Sequence, residues 1–132
     1  MHLLDIKALL AHVLPTIKAL SYDYVIEEGT SGNWKYRKWK GGRVEAWGKQ
    51  NMGSQTPSSW GGGIYYKELN WSIPSGIFPD APYSAHLTAG DRQWWVLGYS
   101  SVSATQISTI RVARPTSSAA SLWLIGYVVY TP

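Results

Sequence analysis

Downstream of residue 50 the carboxylates are Glu68, Asp80 and Asp91. A glycosidase needs two carboxyl groups about 5–10 Å apart. These three fall on different segments, and Asp80 after Pro79 and Asp91 after Gly90 occupy natural turn positions. The histidines are His2, His12 and His86, and none sits in a metal-ligand motif. No Gly-x-Ser-x-Gly elbow, phosphate loop or dinucleotide fingerprint occurs. Gly61-Gly62-Gly63 lacks the following lysine and helix that a phosphate site needs. The chain therefore reads as non-enzymatic, with no cofactor and no metal.

Binding chemistry is better represented. Residues 51–63 carry Asn51, Gln55, Ser58, Ser59 and Trp60 among glycine, serine and proline. An aromatic plate with amides beside it suits a pyranose, which offers an apolar C–H face and a rim of hydroxyls. The segment "GDRQWW" adds Asp91, Arg92 and Gln93 beside Trp94 and Trp95. Arg92 could pair bidentately with a phosphate. Adjacent tryptophans on a strand point to opposite faces, so one is expected in the core and one outside. The candidate ligand-binding set is Trp60, Asn51, Gln55, Asp91, Arg92, Gln93 and Trp94.

A second concentration of chemistry is "WKYRKWKGGRVEAWGK", from Trp34 to Lys49. It holds six of the twelve Lys and Arg residues against one acid, Glu45, so the net charge of +4 is a local property. Basic residues interleaved with aromatics suit single-stranded nucleic acid. Against that, the basic block is confined to one hairpin, and Asp23, Glu27 and Glu28 precede it. A partner strand carrying those acids would neutralise much of it. Read as a two-residue hairpin at Gly41-Gly42, the ribbon pairs Lys38 with Glu45, Tyr36 with Trp47 and Trp39 with Val44. That register puts Trp34, Tyr36 and Trp47 on one face and expects all three to hold the core.

The elements that must position these residues are mostly strands. Eight Trp and nine Tyr stand against one Phe, with thirteen Gly and seven Pro in 132 residues. This composition favours strands and tight turns, and the length suits one domain with a core. Strands are expected at 22–28, 34–40, 43–48, 64–73, 83–89, 93–99, 105–114 and 121–130, with 50–63 a long loop and "PSGIFPDAP" an extended corner. Such spacing points to an antiparallel sandwich or barrel. Cysteine is absent, which excludes disulfides and thiolate metal sites. No apolar run approaches the about 20 residues of a membrane span, and residues 1–20 do not read as a secretory leader.

Those first residues read as a helix. Leu3, Ile6, Leu10, Val13, Ile17 and Leu20 fall at spacings 3-4-3-4-3, a coiled-coil seam. Leu9 and Leu14 flank it, which favours three strands over two. Pro15 is expected to kink the helix near Val13–Leu14. The alternative is an amphipathic helix packed on its own domain. The division is a stem at 1–21 and a β domain at 22–132.

The string "EEGTSGNWKYRKWKGGRVEAWG" resembles a signature of C-terminal domains in tail-fibre and minor structural, receptor-binding proteins of phages and prophages of Gram-positive bacteria. Trp34, Tyr36, Arg37, Lys38, Trp39, Trp47 and Gly48 match it, and Ala46 stands where that family often has cysteine. "IYYKELNWSIPSGIFPDAPY" resembles its Tyr-rich strand and proline-bracketed corner. "SSVSATQISTIRVARPTSSAASL" resembles its Ser/Thr-rich strand and Arg-Pro-Thr-Ser, here Arg114 to Ser117. The ending "LIGYVVYTP" departs from the family's Ala-Ile-Gly-Arg-like close. The resemblance spans roughly 22–130 and extends to H-type lectin-like sandwiches.

It implies a mainly β, antiparallel sandwich knob on a short helical stem, assembled as a homotrimer with other tail proteins in a virion made in the host cytoplasm. It also implies adhesion to a host cell-surface polysaccharide or teichoic-acid-like polymer, with neither nucleic-acid binding nor membrane insertion. The rivals are a cellular lectin or carbohydrate-binding module, and an internal virion component that touches no glycan.

Overall fold

A computed structural model describes residues 23–132. The stem residues Leu3, Ile6, Leu10, Val13, Ile17 and Leu20, and the boundary at 21/22, lie outside the described residues. Ten strands follow in order: β1 (Val25–Ser31), β2 (Trp34–Trp39), β3 (Val44–Gln55), β4 (Ser58–Gly61), β5 (Ile64–Ser72), β6 (Ser84–Ala89), β7 (Trp95–Gly98), β8 (Ser101–Val102), β9 (Gln106–Arg114) and β10 (Ala120–Tyr130). There is no helix among the described residues.

The strands form two antiparallel sheets. Sheet A runs β1-β2-β3-β10-β6, and sheet B runs β4-β5-β9-β7 with β8 also on β9. One core lies between them, drawn from Trp34, Val44, Ala46, Leu124 and Val128 of sheet A and Trp71, Ile107, Ile110 and Val112 of sheet B. Ile77 and Phe78 of the proline-bracketed corner plug into the same core. Its centre is the pair Trp34–Trp71, with ring centroids 4.6 Å apart. Two glycines make room for it. A Cβ on Gly48 would lie 2.7 Å from the Trp34 ring, and one on Gly126 would lie 2.8 Å from the Trp71 ring. Both indoles are satisfied: Trp34 Nε1 donates to the Ser72 carbonyl at 3.3 Å and Trp71 Nε1 to Gln50 Oε1 at 2.7 Å.

The opening hairpin differs from expectation by one residue. Trp39 N donates to the Arg43 carbonyl and Gly42 N to the Trp39 carbonyl. Gly42 takes φ +97. The loop is therefore Lys40-Gly41-Gly42, a three-residue turn closed by a left-handed glycine, not the two-residue turn expected at Gly41-Gly42. The register becomes Trp34↔Gly48, Lys35↔Trp47, Tyr36↔Ala46, Arg37↔Glu45 and Lys38↔Val44. A slip of one residue turns every side chain of the return strand over. Val44 and Ala46 face the core, and Trp47 is on the outer face with 36% of its surface exposed. Its expected core role is thus corrected, while Trp34 and Tyr36 do face inward.

Two strand boundaries also differ. β1 continues past Gly29 to Ser31, because Tyr36 lies across Gly29: a Cβ there would sit 2.5 Å from the Tyr36 hydroxyl oxygen. The expected loop 50–63 is mostly strand. β3 runs on to Gln55, held by its ladder to β10. Thr56-Pro57 crosses to the other sheet, and β4 and β5 join through Gly61-Gly62-Gly63, all at positive φ.

Candidate functional site

The outer face of sheet A assembles residues that were far apart in the sequence. Thr30, Lys35, Trp47, Tyr127 and His86 stand in register across all five strands. The next outward row carries Lys49, Ile125 and Thr88, and beyond it Trp123 pairs with Asn51. Between the first two rows, Gly48, Gly126 and Leu87 point into the core. A groove of about 470 Å³ lies over them, walled by Trp47, Tyr127 and Ile125 and bordered by Lys35, Lys49 and His86.

The aromatic wall is braced. Trp47 and Tyr127 pack at 5.5 Å, and His86 stacks on Tyr127 at 6.2 Å. The Arg37 guanidinium sits 5.4 Å from the Trp47 ring centroid and ion-pairs with Glu28 at 2.9 Å. Glu45, only 8% exposed, accepts the Trp39 indole N–H at 2.9 Å and the Tyr127 hydroxyl at 2.6 Å. Among the described residues, Lys35 and Lys49 have no carboxylate within salt-bridge distance. Lys49 extends over Trp123, 5.4 Å from the ring centroid. The face therefore combines fixed aromatic plates with two ammonium groups that no described carboxylate pairs.

The brace has a pH signature. The hydrogen bond to Glu45 raises the Tyr127 pKa above 10.0, helped by burial and by the Glu45 charge and partly opposed by Arg43. The folded protein thus favours the protonated phenol. That contribution is complete below the unfolded-state value near 10 and is lost as pH rises through the higher folded value. Above pH 10 the stability of the parent is expected to fall more steeply than that of Tyr127→Phe in denaturant melts. Parallel pH profiles would contradict the bond.

The residues expected at a loop-tip site do not converge. Trp60 lies on β4 and is 51% exposed. Asp91, Arg92 and Gln93 precede β7, at the same end of sheet B but at its opposite edge, with β5 and β9 between. Three strand spacings amount to about 14 Å. Asp91 accepts the Gln93 backbone N–H at 3.0 Å, closing its own turn. Asn51 accepts from Gly53 N at 2.8 Å, and Gln55 donates to the Met52 carbonyl at 2.7 Å. Both belong to β3 of sheet A, away from the strand that carries Trp60. Trp94 is 2% exposed and is core, so it presents no plate to a ligand, while Trp95 is outside at 52%. The division of that pair between core and surface is as expected.

The outer face of sheet B has its own cluster. The Arg111 guanidinium lies 5.0 Å from the Trp60 centroid and 5.1 Å from that of Tyr66, and its Nε donates to Glu68 at 3.0 Å. Asp80 accepts its neighbour Ala81 N at 2.7 Å. All three downstream carboxylates are therefore engaged locally. Among the described residues no three His, Asp or Glu side chains gather at ligand distance. No described helix is long and apolar enough to cross a membrane. On the basic hairpin, β1 does pair with β2, and Lys38 meets Glu27 at 3.4 Å beside the Arg37–Glu28 pair.

No family model and no curated protein matches this chain. Among solved structures it is similar to an N-truncated R1-type pyocin tail fiber, with a TM-score of 0.56 and 12% identity, over 89% of this chain and 95% of that one. The chain has a tail-fibre-like fold. A P. aeruginosa R1 pyocin fiber comprising C-terminal residues 323-701 aligns over 80% of this chain and 28% of its own, at 11% identity and a TM-score of 0.44.

The sheet A face is hidden in the sequence because a two-residue turn at Gly41-Gly42 puts its register one residue off. Lys35, Trp47 and Lys49 were visible as residues, but Tyr127 and His86 join them only through β10 and β6. The available signal was the small–large complementarity of Gly48 and Ala46 opposite Trp34 and Tyr36, which fits only the observed pairing.

Proposed function

We propose that this domain is the receptor-binding knob of a phage or phage-like tail fibre, a non-enzymatic homotrimeric adhesin for a host cell-surface glycopolymer. The observation that carries this reading is the outer face of sheet A, where braced aromatic rings stand between Lys35 and Lys49, which no described carboxylate pairs. Aromatic faces stack on the C–H faces of pyranoses, and hydroxyl rims hydrogen-bond to flanking polar groups. The tail-fibre-like fold supports a place in a virion or virion-like particle beside other tail proteins. Weak single sites linked in three copies gain affinity through effective concentration. The net charge of +4 steers the knob to anionic surfaces such as teichoic-acid-like polymers.

The full chain is expected to be retained by at least one member of a panel of purified bacterial surface polysaccharides. Retention by none would overturn the adhesive reading. The seam at Leu3, Ile6, Leu10, Val13, Ile17 and Leu20 is expected to give a trimer mass by light scattering. A monomer at micromolar concentration would remove the trimer and favour a cellular lectin.

A second reading, an internal virion component, draws on sheet B, where Trp60, Trp95 and Leu97 are exposed on a scale that suits a protein contact. It expects binding to tail proteins and to no polysaccharide.

A further inference from the structure

The groove between the first two outward rows of sheet A has an ordered wall and a charged rim of one sign. Trp47 is held by contacts with the Tyr127 ring and the Arg37 guanidinium. Lys35 adjoins Trp47 across the ladder, and Lys49 lies two residues beyond it on the same face. A two-residue step along a strand is about 6.8 Å, close to the width of one sugar ring. The acid nearest the wall, Glu45, is occupied by the Trp39 indole N–H and the Tyr127 hydroxyl. The groove is thus lined by one apolar plate, Trp47, and by two lysines, Lys35 beside it and Lys49 one row on, whose ammonium lies over Trp123 and must swing in to meet a ligand at Trp47.

We propose that this groove binds an acidic pyranose of the hexuronate class, its ring on the Trp47 side of the wall and its carboxylate between Lys35 and Lys49. This rests on the adhesive reading above and names the ligand class for it. A uronic acid carries its charge directly on the ring, so plate and rim are engaged by one residue of the polymer. A polyol phosphate carries its charge on an acyclic chain with no ring face for Trp47. A single-stranded nucleic acid needs charge continuing along a track, whereas the neighbouring Arg37 and Lys38 are already paired with Glu28 and Glu27. Because the rings are fixed before the ligand arrives, little ordering cost falls on binding.

The test is calorimetry on the full chain with four probes: a galacturonic acid tetrasaccharide, a neutral galactose tetrasaccharide, a glycerol-phosphate oligomer and single-stranded DNA. The uronate oligomer is expected to bind about tenfold tighter than the neutral one, the scale of one charge-assisted hydrogen bond. Lys35→Gln with Lys49→Gln should erase that preference, bringing the uronate oligomer down to the affinity of the neutral one. Trp47→Ala should weaken both sugars by about tenfold, with the melting temperature of each variant close to that of the parent. Equal affinity for the two sugars, or tighter binding of the phosphate oligomer or DNA, would overturn the assignment. So would Trp47-dependent self-association without sugar binding. If the chain is retained by surface polysaccharides yet ignores the uronate oligomer, this proposal falls and the adhesive reading stands. If no polysaccharide retains it, both fall.

Discussion

Trp71→Ala is expected to cost about 3–5 kcal/mol of stability, and Trp47→Ala no more than about 1 kcal/mol. Trp71 is 1% exposed, packs on Trp34, fills the space above Gly126 and donates its indole N–H to Gln50. Its removal leaves a cavity between the sheets and strands the Gln50 oxygen. Trp47 stands on the outer face against Tyr127 and Arg37, and water already reaches it. At about 4 °C per kcal/mol for a domain of this size, the first variant should melt about 12–20 °C below the parent and the second within a few degrees of it. Thermal melts of the two variants check the hairpin register directly. If Trp47→Ala cost as much as Trp71→Ala, the return strand would have to sit one residue over, with Trp47 inside.

The second large effect is expected at Arg114. Its residue is 9% exposed, its Nη1 donates to the Ser118 carbonyl at 2.9 Å, and its guanidinium lies 5.4 Å from the Trp94 ring centroid. Among the described residues it has no carboxylate within salt-bridge distance. The Arg114-Pro-Thr-Ser segment is therefore a structural joint between β9 and β10, with the arginine tying the turn to the core tryptophan. Arg114→Ala should cost about 2–3 kcal/mol through lost packing and an unpaired carbonyl. Arg114→Met, which refills the volume without a buried charge, should recover part of that. Arg92→Ala, on the exposed turn, should change stability by less than about 0.5 kcal/mol. Denaturant midpoints of the three variants check this. A neutral Arg114→Ala would show that the turn is held by something else.

The parts of the fold that were legible in the sequence are those where burial writes a period-two pattern. β5, β9 and β10 alternate or run apolar, and the corner from Pro74 to Pro82 announces itself by its prolines. The second half of β3 was not legible. Residues 50–55 are polar or glycine except for Met52, which packs on the core, and one apolar residue writes no alternation; what makes them a strand is the backbone ladder to β10. Gly41-Gly42 pointed to a two-residue turn because glycine tolerates both left-handed positions, and only the observed Trp39–Arg43 closure selects the longer loop. The cost of that one residue was the site. In the slipped register Trp47 faces inward, and the row of Lys35, Trp47, Tyr127 and His86 does not exist. Charge only suggested that an acidic β1 beside β2 would neutralise it; the observed ladder and the Arg37–Glu28 and Lys38–Glu27 pairs show that it lies there.

We infer that the outer face of sheet A is the working surface of this domain. The most direct test is a two-dimensional NMR titration of the indole N–H signals with bacterial cell-wall polysaccharide fragments. The eight tryptophans report from every part of the fold. Trp47 and Trp123 should shift, while the core residues Trp34, Trp71 and Trp94 stay fixed and Trp60 and Trp95 on sheet B do not respond. Shifts confined to Trp60 and Trp95, with Trp47 and Trp123 unmoved, would place the working surface on sheet B instead.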